Sequence, residues 1–188
     1  MMENKKTDLT REKIMDVARE LLADKGYANV SMRQIANEIK CSHGAIYYHF
    51  KNKAELFYAL VEEHFSLLEQ KMTEVMKEPV DRTQKLSKLL LGFIQFGLNN
   101  QSHYEIMFLI KDEEVLHFLN QSPSKTYQRF ANHVADLSEK DLTVQEIWTI
   151  FLSLHGFVTH YLRYIVSFKD VEEMARFHVE MVVKWTKN

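Results

Sequence analysis

SMRQIANEIKCSHGAIYYHFKNKAELF, residues 31–57, predicts two short helices separated by a tight turn. Ser31 and Gln34 have the spacing of a capping box, in which two side chains satisfy free N–H groups at a helix start. The KCS segment is long enough only for a tight turn, and Ser42 can cap a second helix that begins at His43. Two short helices joined in this way make a helix-turn-helix.

The segment before this pair predicts a supporting helix. Thr10 can cap it, and its apolar residues recur with a helical period up to about Lys25. Gly26 then supplies a stop, because glycine readily adopts positive φ. We therefore expect a three-helix domain over residues 1–52, with residues 1–8 disordered.

Residues 53–188 predict a larger helical domain. Its first helix, 53–77, ends before Pro79 and would connect the two domains over roughly 40 Å, at about 1.5 Å per residue. Further helices are expected at about 81–98, 124–137, 143–168 and 170–187, with short segments capped by Ser102 and at 113–121. Because only five Gly and two Pro are available for turns, we predict an all-α fold of about nine helices.

The amino-acid composition excludes several classes of protein. One cysteine, Cys41, excludes an internal disulfide framework, and no run approaches the roughly 18 apolar residues of a membrane span, so we expect a cytoplasmic protein. The net charge of −2 argues against a general polyanion binder. Residues 1–60, however, hold ten Lys or Arg against eight Asp or Glu, which places the positive side at the N-terminal end.

The adjacent tyrosines on the expected third helix cannot both face the core. Ala45, Ile46 and Phe50 can turn inward on that helix. The opposite arc presents four residues outward: His43, Gly44, Tyr47 and Tyr48. The tyrosines either contact a ligand or merely cover apolar surface, and their spacing alone leaves both readings open.

GYANVSMRQIANEIKCSHGAIYYHFKNKAELF closely resembles the DNA-binding half of the TetR family of bacterial transcriptional regulators. The likeness covers about residues 10–57 and includes the cap, the turn, YYHF and K-x-K-x-x-L-F in order. The remaining residues match that family only in architecture. Residues 147–162, IWTIFLSLHGFVTHYL, look like a Trp and His-Gly helix of some subgroups.

The resemblance implies double-stranded operator DNA as a partner, with the third helix in the major groove. Carried over residue by residue, the positions expected to contact DNA are Ser31, Arg33, Ser42, His43, Gly44, Ala45, Tyr47, Tyr48, His49 and Lys53. Hydroxyl, imidazole and ammonium groups would donate to phosphates, and Gly44 would allow close approach. Arg33 would reach a base edge or a phosphate, and Ala45 could offer only apolar contact, as to a thymine methyl.

The last two long helices predict a homodimer. Residues 144–168 are apolar on almost every face, and the final helix carries an apolar stripe at steps of three and four. An intrachain core could satisfy one stripe, and relatives of the resembled family dimerise there as a four-helix bundle. The predicted interface comprises Phe151, Val158, Leu162, Met174, His178, Met181 and Trp185.

Aromatic residues in the C-terminal half could line a cavity for a small apolar effector. The candidates are Phe93, Phe96, Tyr104, Phe108, Tyr127, Trp148, His155 and Thr159. His155 or Tyr104 would supply the polar contact to that effector. The alternative is that these aromatics fill a solid core.

Other chemistry finds little support in the sequence. His155 and His160 are five residues apart on one expected helix, so we predict no metal site, and no catalytic or phosphate-binding motif indicates an enzyme or a cofactor. The leading hypothesis is a ligand-responsive repressor released from a pseudo-palindromic operator. The alternative is a dimeric DNA-binding regulator without a small effector, controlled by a protein partner.

Overall fold

The computed structural model describes residues 9–109 and 123–187, and these residues form helices joined by short turns, with no strand among them. The helices are α1 Arg11–Lys25, α2 Met32–Ile39, α3 His43–His49, α4 Lys53–Lys77, α5 Arg82–Asn99, α6 Gln101–Phe108, α7 Pro123–Leu137, α8 Val144–Tyr161 and α9 Glu172–Trp185. Short 3-10 turns lie at Tyr27–Asn29 and Phe168–Val171. The all-α prediction is confirmed, whereas the tail at 1–8 and the segment at 113–121 lie outside the described residues.

The N-terminal helices begin at the predicted caps. The Thr10 hydroxyl accepts a hydrogen bond from the Lys13 N–H, and the Ser42 hydroxyl accepts one from the Ala45 N–H. Ser31 forms the complete capping box that its spacing predicts. These caps fix where each helix starts, because they satisfy N–H groups that have no partner within the helix.

Two residues with positive φ make the turns of this domain. Gly26 ends α1 with a φ of 74°, as predicted, and Lys40 ends α2 with a φ of 60°. The Lys40 turn is held by a hydrogen bond of 3.0 Å from the Cys41 N–H to the Ala36 carbonyl. It brings Ile35 and Ile46, both fully buried, into one core beneath α1.

Helix α4 runs from the helix-turn-helix into the C-terminal helices. The Asn52 side chain caps it by accepting from the Glu55 N–H at 2.7 Å, and the helix ends at Lys77 as predicted. It packs against α1 at one end and against α5, α6 and α7 further along. A displacement of α4 would therefore be transmitted to the helix-turn-helix.

Helix α5 is the centre of the C-terminal part and packs against α4, α6, α7, α8 and α9. Gly97 allows α5 to lie close to both α6 and α8. A Cβ atom at this position would lie 2.7 Å from Cγ1 of Val158 on α8 and 2.9 Å from Cδ2 of Tyr104 on α6. Only a residue without a side chain fits there without moving a neighbouring helix.

Two predicted helix boundaries are wrong. Helix α6 begins at Gln101 rather than under a Ser102 cap, and its N-cap residue, Asn100, makes no capping bond with its side chain. Helix α8 ends at Tyr161 instead of about 168, because Arg163 adopts a φ of 65°.

Long-range bonds explain the early end of α8. The Arg163 N–H donates to Gln101 Oε1 at 2.8 Å, and its guanidinium donates to Glu105 at 2.6 Å. The Gln101 amide in turn donates to the Ile165 carbonyl at 3.0 Å. The chain then passes through a 3-10 turn before α9 begins at Glu172.

Candidate functional site

Helix α3 presents its predicted outward face to solvent. Tyr48 is 88% exposed and Tyr47 is 45% exposed, while Ile46 on the opposite side is fully buried. The Tyr47 ring packs edge-on against His43 with centroids 5.0 Å apart, and Tyr48 packs in the same way against His49 at 5.3 Å. The two adjacent phenols therefore sit on a preformed aromatic and imidazole surface, rather than in the core.

Gly44 lies at the start of this face. A Cβ atom built at Gly44 would meet nothing within 4 Å, so the fold itself does not require a glycine there. The absence of a side chain leaves the backbone of α3 accessible to a large ligand. Ala45, which follows it, is half-buried.

The hydroxyl groups of Ser31 and Ser42 differ in whether they are free to donate a hydrogen bond to a phosphate. Ser31 both donates to Gln34 Oε1 at 2.9 Å and accepts from the Gln34 N–H, so a phosphate would have to displace part of the capping box. Ser42 accepts from the Ala45 N–H and is exposed, which leaves its hydroxyl hydrogen able to donate. Arg33 is exposed on α2.

Lys53 and Arg11 contact backbone carbonyls close to α3. The Lys53 ammonium donates to the Tyr27 carbonyl at 3.0 Å and lies 4.0 Å from the centre of the Tyr27 ring. The Arg11 guanidinium donates to the His49 carbonyl at 3.1 Å and stacks on Phe50. Sequence reasoning missed Arg11, because it lies 38 positions from His49 and no local pattern links them.

An apolar cavity of about 300 Å³ lies between α4, α5, α6, α7 and α8. It is lined by Phe65, Leu68, Phe93, Phe108, Thr126, Tyr127, Phe130, Trp148 and Phe151. Four of the predicted ligand residues line it: Phe93, Phe108, Tyr127 and Trp148. The volume is at the small end of those that hold organic ligands, about 300–1,000 Å³.

The other four predicted ligand residues lie outside the lining. Tyr104 is fully buried, and its hydroxyl shares a hydrogen bond of 2.8 Å with Nδ1 of His155. Burial raises the pKa of Tyr104 and lowers the pKa of His155, so both side chains are neutral at pH 7. Phe96 is buried, and the Thr159 hydroxyl donates to the His155 carbonyl within α8.

Glu69 ties α7 to α4 beside the cavity. Its carboxylate accepts from the Thr126 hydroxyl at 2.8 Å and from the Arg129 guanidinium at 2.7 Å. The Thr126 hydroxyl is therefore already bonded although the residue lines the cavity. The lining is left almost entirely apolar, which suits a hydrocarbon or aromatic ligand.

The predicted dimer residues fall into two groups. Phe151, Val158 and Leu162 are buried inside the protomer, because α8 turns these residues toward its own core. His178 is half-buried, and its Nε2 bonds to the Ser153 hydroxyl at 2.7 Å. We therefore place these four residues in the protomer rather than on an outer face.

The exposed apolar face of α8 and α9 instead combines three predicted residues with four others. Its members are Val144, Trp148 and Leu152 on α8 and Met174, Phe177, Met181 and Trp185 on α9. Each of these side chains is at least 44% exposed. We call these seven residues the α8–α9 face.

Metal and membrane sites find no support in the part of the chain that the structure describes. Within residues 9–109 and 123–187, no three His, Cys, Asp or Glu side chains cluster so that they could hold a metal ion. Over the same ranges no helix has the length and apolar character needed to cross a bilayer.

Comparison with known proteins agrees with the helix-turn-helix geometry. Residues 14–60 match the family described as bacterial regulatory proteins, tetR family. An HTH-type transcriptional regulator of Staphylococcus aureus strain USA300 is 29% identical over 133 residues, which cover 64% of this chain and 72% of the relative.

Solved structures share the whole fold. A TetR/AcrR-family regulator from Thermobifida fusca aligns with a TM-score of 0.71 at 19% identity, covering 92% of this chain and 96% of the other. The regulator FadR from Bacillus subtilis, solved with stearoyl-CoA, aligns with a TM-score of 0.69 at 19% identity, covering 94% and 97%. With the capped α2–turn–α3 unit and its exposed α3 face, the family match identifies residues 14–60 as a DNA-binding domain of the tetR family of bacterial regulatory proteins, and the solved structures show that the chain has the fold of TetR/AcrR-family regulators.

Proposed function

We propose that the protein is a dimeric, sequence-specific repressor that leaves a pseudo-palindromic operator when a small apolar effector binds. The observation that carries this proposal is the position of the apolar cavity. Phe65 and Leu68 form part of its lining, and both lie on α4, the helix that continues directly from the helix-turn-helix. An occupant of the cavity therefore presses on the element that positions α3.

The α3 face supplies the DNA contacts in this proposal. Tyr47, Tyr48 and His49 donate to phosphates, since hydrogen bonds to the backbone fix the position of a reading helix. His43 and Gly44, at the start of α3, face the base edges. Arg33 on α2 and Lys53 at the start of α4 contact the flanking backbone.

A second copy of this chain covers the α8–α9 face. Seven large apolar side chains on two neighbouring helices are more than a monomer usually leaves exposed. Gly156 lies exposed on α8 with open space at its Cβ position, so a partner helix can approach closely there. Two-fold pairing gives the two α3 helices the symmetry that a palindromic operator requires.

The effector is an acyl chain or a similar apolar group. The cavity lining is aromatic and aliphatic, with the Thr126 hydroxyl already bonded to Glu69. Tyr104 and His155 satisfy each other outside the lining, so a polar contact from either would require their hydrogen bond to break. The stearoyl-CoA complex of the structurally similar FadR supports an acyl chain as the ligand class to test first.

The release mechanism follows from linkage between the two sites. Half-sites one helical turn apart lie roughly 34–36 Å from centre to centre, so both α3 helices dock only at one separation. An effector that favours a different α4 position must weaken operator binding, and the operator must weaken effector binding by the same factor.

Effector binding can be followed through Trp148, which lines the cavity. The chain has two tryptophans, and Trp185→Phe leaves Trp148 as the sole indole. In this variant, stearoyl-CoA should change the Trp148 emission saturably at one ligand per protomer, whereas coenzyme A alone should not. Leu68→Phe, which enlarges a lining side chain, should weaken the response to stearoyl-CoA.

Two outcomes would argue against an effector in this cavity. A Trp148 emission that stays unchanged at saturating stearoyl-CoA excludes this ligand from the lining. A response that Leu68→Phe leaves intact would place the ligand elsewhere. If, in addition, a screen of acyl and aromatic ligands gave no saturable change, control by a protein partner would become the better account.

A further inference from the structure

A polar cleft of about 610 Å³ lies between the end of α1 and the C-terminal helices. It shares no lining residue with the apolar cavity. Its walls come from the end of α1, from His64 on α4, from the junction of α5 and α6, and from Arg163 and Val166 after α8. An occupant would contact both α1, which supports the helix-turn-helix, and the C-terminal helices.

His103 is an unsatisfied polar group in the wall of this cleft. Its side chain is only 6% exposed, and its Nε2 atom has no hydrogen-bond partner among the described residues. The ring stacks on His64 with centroids 3.7 Å apart, and the Nδ1 atom of His64 donates to the Leu60 carbonyl. A buried nitrogen without a partner is unfavourable, so the binding of a ligand that forms a hydrogen bond with it would be favoured.

The N-terminus of α6 opens on the same cleft. Asn100, Gln101, Ser102 and His103 all line it, and Asn100 provides no side-chain cap. The first-turn N–H groups of a helix lack internal partners, and the helix dipole places partial positive charge at that end. Free N–H groups and positive potential together favour an anion.

Cationic side chains flank the helix end. Arg19, Lys25 and Arg163 line the cleft, against two carboxylates, Asp24 and Glu105. Arg163 is paired with Glu105 at 2.6 Å, and Arg19 is paired outside the cleft lining with Glu63 at 2.8 Å. Arg19 is also paired with Asp16 at 2.7 Å. Because carboxylates balance these cations, the arginines contribute N–H donors to the cleft rather than a net positive charge.

We propose that this cleft is a second ligand site, which binds a small anion through a phosphate or carboxylate group. The anion would accept hydrogen bonds from the first turn of α6, from the Arg163 guanidinium, and from Nε2 of His103 in the tautomer that carries its proton there. The partner is thus an anionic metabolite or anionic ligand group, distinct from the apolar occupant of the first cavity. Because α1 forms one wall, occupancy would connect α1 to α6.

The experiment titrates the intact protein with inorganic phosphate and, separately, with sodium acetate, at constant ionic strength maintained with sodium chloride. Imidazole resonances of His103 and His64 are followed by NMR and assigned with His103→Gln and His64→Gln. The proposal predicts a saturable shift of both rings with at least one of the two anions. The anion that produces the tighter shift identifies the preferred group.

Arginine variants provide the matched comparison. Arg163→Gln should lower the affinity for the anion at least fivefold. Arg129→Gln removes an exposed, ion-paired arginine outside the cleft and should leave that affinity unchanged. The proposal is overturned if neither anion gives a saturable shift, or if the two arginine variants behave alike. Neither readout requires operator or apolar effector, so the result is independent of the repressor proposal.

Discussion

Arg19 on α1 and Glu63 on α4 form an ion pair, with Nη2 2.8 Å from Oε2. Phe65, two residues after Glu63, lines the apolar cavity. The same turn of α4 therefore contacts α1, the helix that supports the helix-turn-helix, on one side and the proposed effector on the other. Exposed ion pairs contribute about 0–1 kcal/mol, so this pair positions α1 relative to α4 more than it stabilises the fold.

Tyr48→Ala should weaken operator binding by at least about tenfold, because a hydrogen bond to a charged phosphate is worth about 1.5–3 kcal/mol. The matched control is Tyr164→Ala, since Tyr164 is 85% exposed and Tyr48 is 88% exposed, but Tyr164 lies after α8. Fluorescence anisotropy with labelled operator measures both variants. Equal affinities for the two variants would mean that Tyr48 makes no DNA contact.

Gly97→Ala should destabilise the protein, whereas Gly92→Ala on the same helix should not. A Cβ at Gly97 would lie 2.7 Å from Val158, while a Cβ at Gly92 would meet nothing within 4 Å. Overpacking costs about 1–3 kcal/mol, against a gain of up to about 1 kcal/mol from helix propensity. Urea unfolding measures the stability of the two variants. A Gly97→Ala protein as stable as Gly92→Ala would show that α5 and α8 can move apart without loss of stability.

The sequence predicted the structure best where a pattern is local. Thr10, Ser31 and Ser42 all cap the helices expected of them, because a cap depends on residues within a few positions. The end of α8 was mispredicted, since it depends on Gln101, which lies 62 positions from Arg163. No local apolar pattern could reveal that contact.

The cavity was predicted only in part for a similar reason. Phe65 and Leu68 were missed because α4 reads as a connecting helix, and its cavity-facing side is defined only by the helices packed on it. Helix α8 is apolar on several faces, so its sequence did not indicate that Phe151 and Val158 face inward while Leu152 faces outward.

Phe177→Asp should convert the proposed dimer to monomers and abolish tight operator binding. Phe177 is 61% exposed at the centre of the α9 part of the α8–α9 face, and a buried, unpaired carboxylate there would oppose association. Leu67→Asp, at a 44% exposed position on α4, is the control and should remain dimeric. Light scattering at micromolar concentration measures the molecular mass of both variants. A dimeric Phe177→Asp protein would mean that the interface lies elsewhere.

His103 should make the protein less stable in acid. Burial lowers the pKa of His103 from 6.5 to about 3, so below pH 6.5 the unfolded chain takes up a proton that the folded protein does not. The free energy of unfolding should therefore fall as the pH drops from about 6.5 towards 3, with a slope of up to about 1.4 kcal/mol per pH unit from this group.

The test of this acid sensitivity is urea unfolding at several pH values in chloride buffers. His103→Gln should reduce the slope between pH 6.5 and 5, because glutamine does not titrate. Burial also lowers the pKa of His64, so part of the slope should persist in this variant. Identical slopes for the two proteins would show that His103 takes up its proton equally well in both states.

Operator affinity with and without saturating stearoyl-CoA, measured on wild type and Phe108→Trp at one salt concentration, tests the central claim most directly. Calorimetry first establishes that the ligand binds the wild type. We predict that bound ligand weakens wild-type operator affinity by about 5–150-fold, the usual range of coupling between sites. Phe108→Trp, whose larger ring occupies part of the cavity, should respond less. Unchanged operator affinity of the wild type with stearoyl-CoA bound would contradict the mechanism.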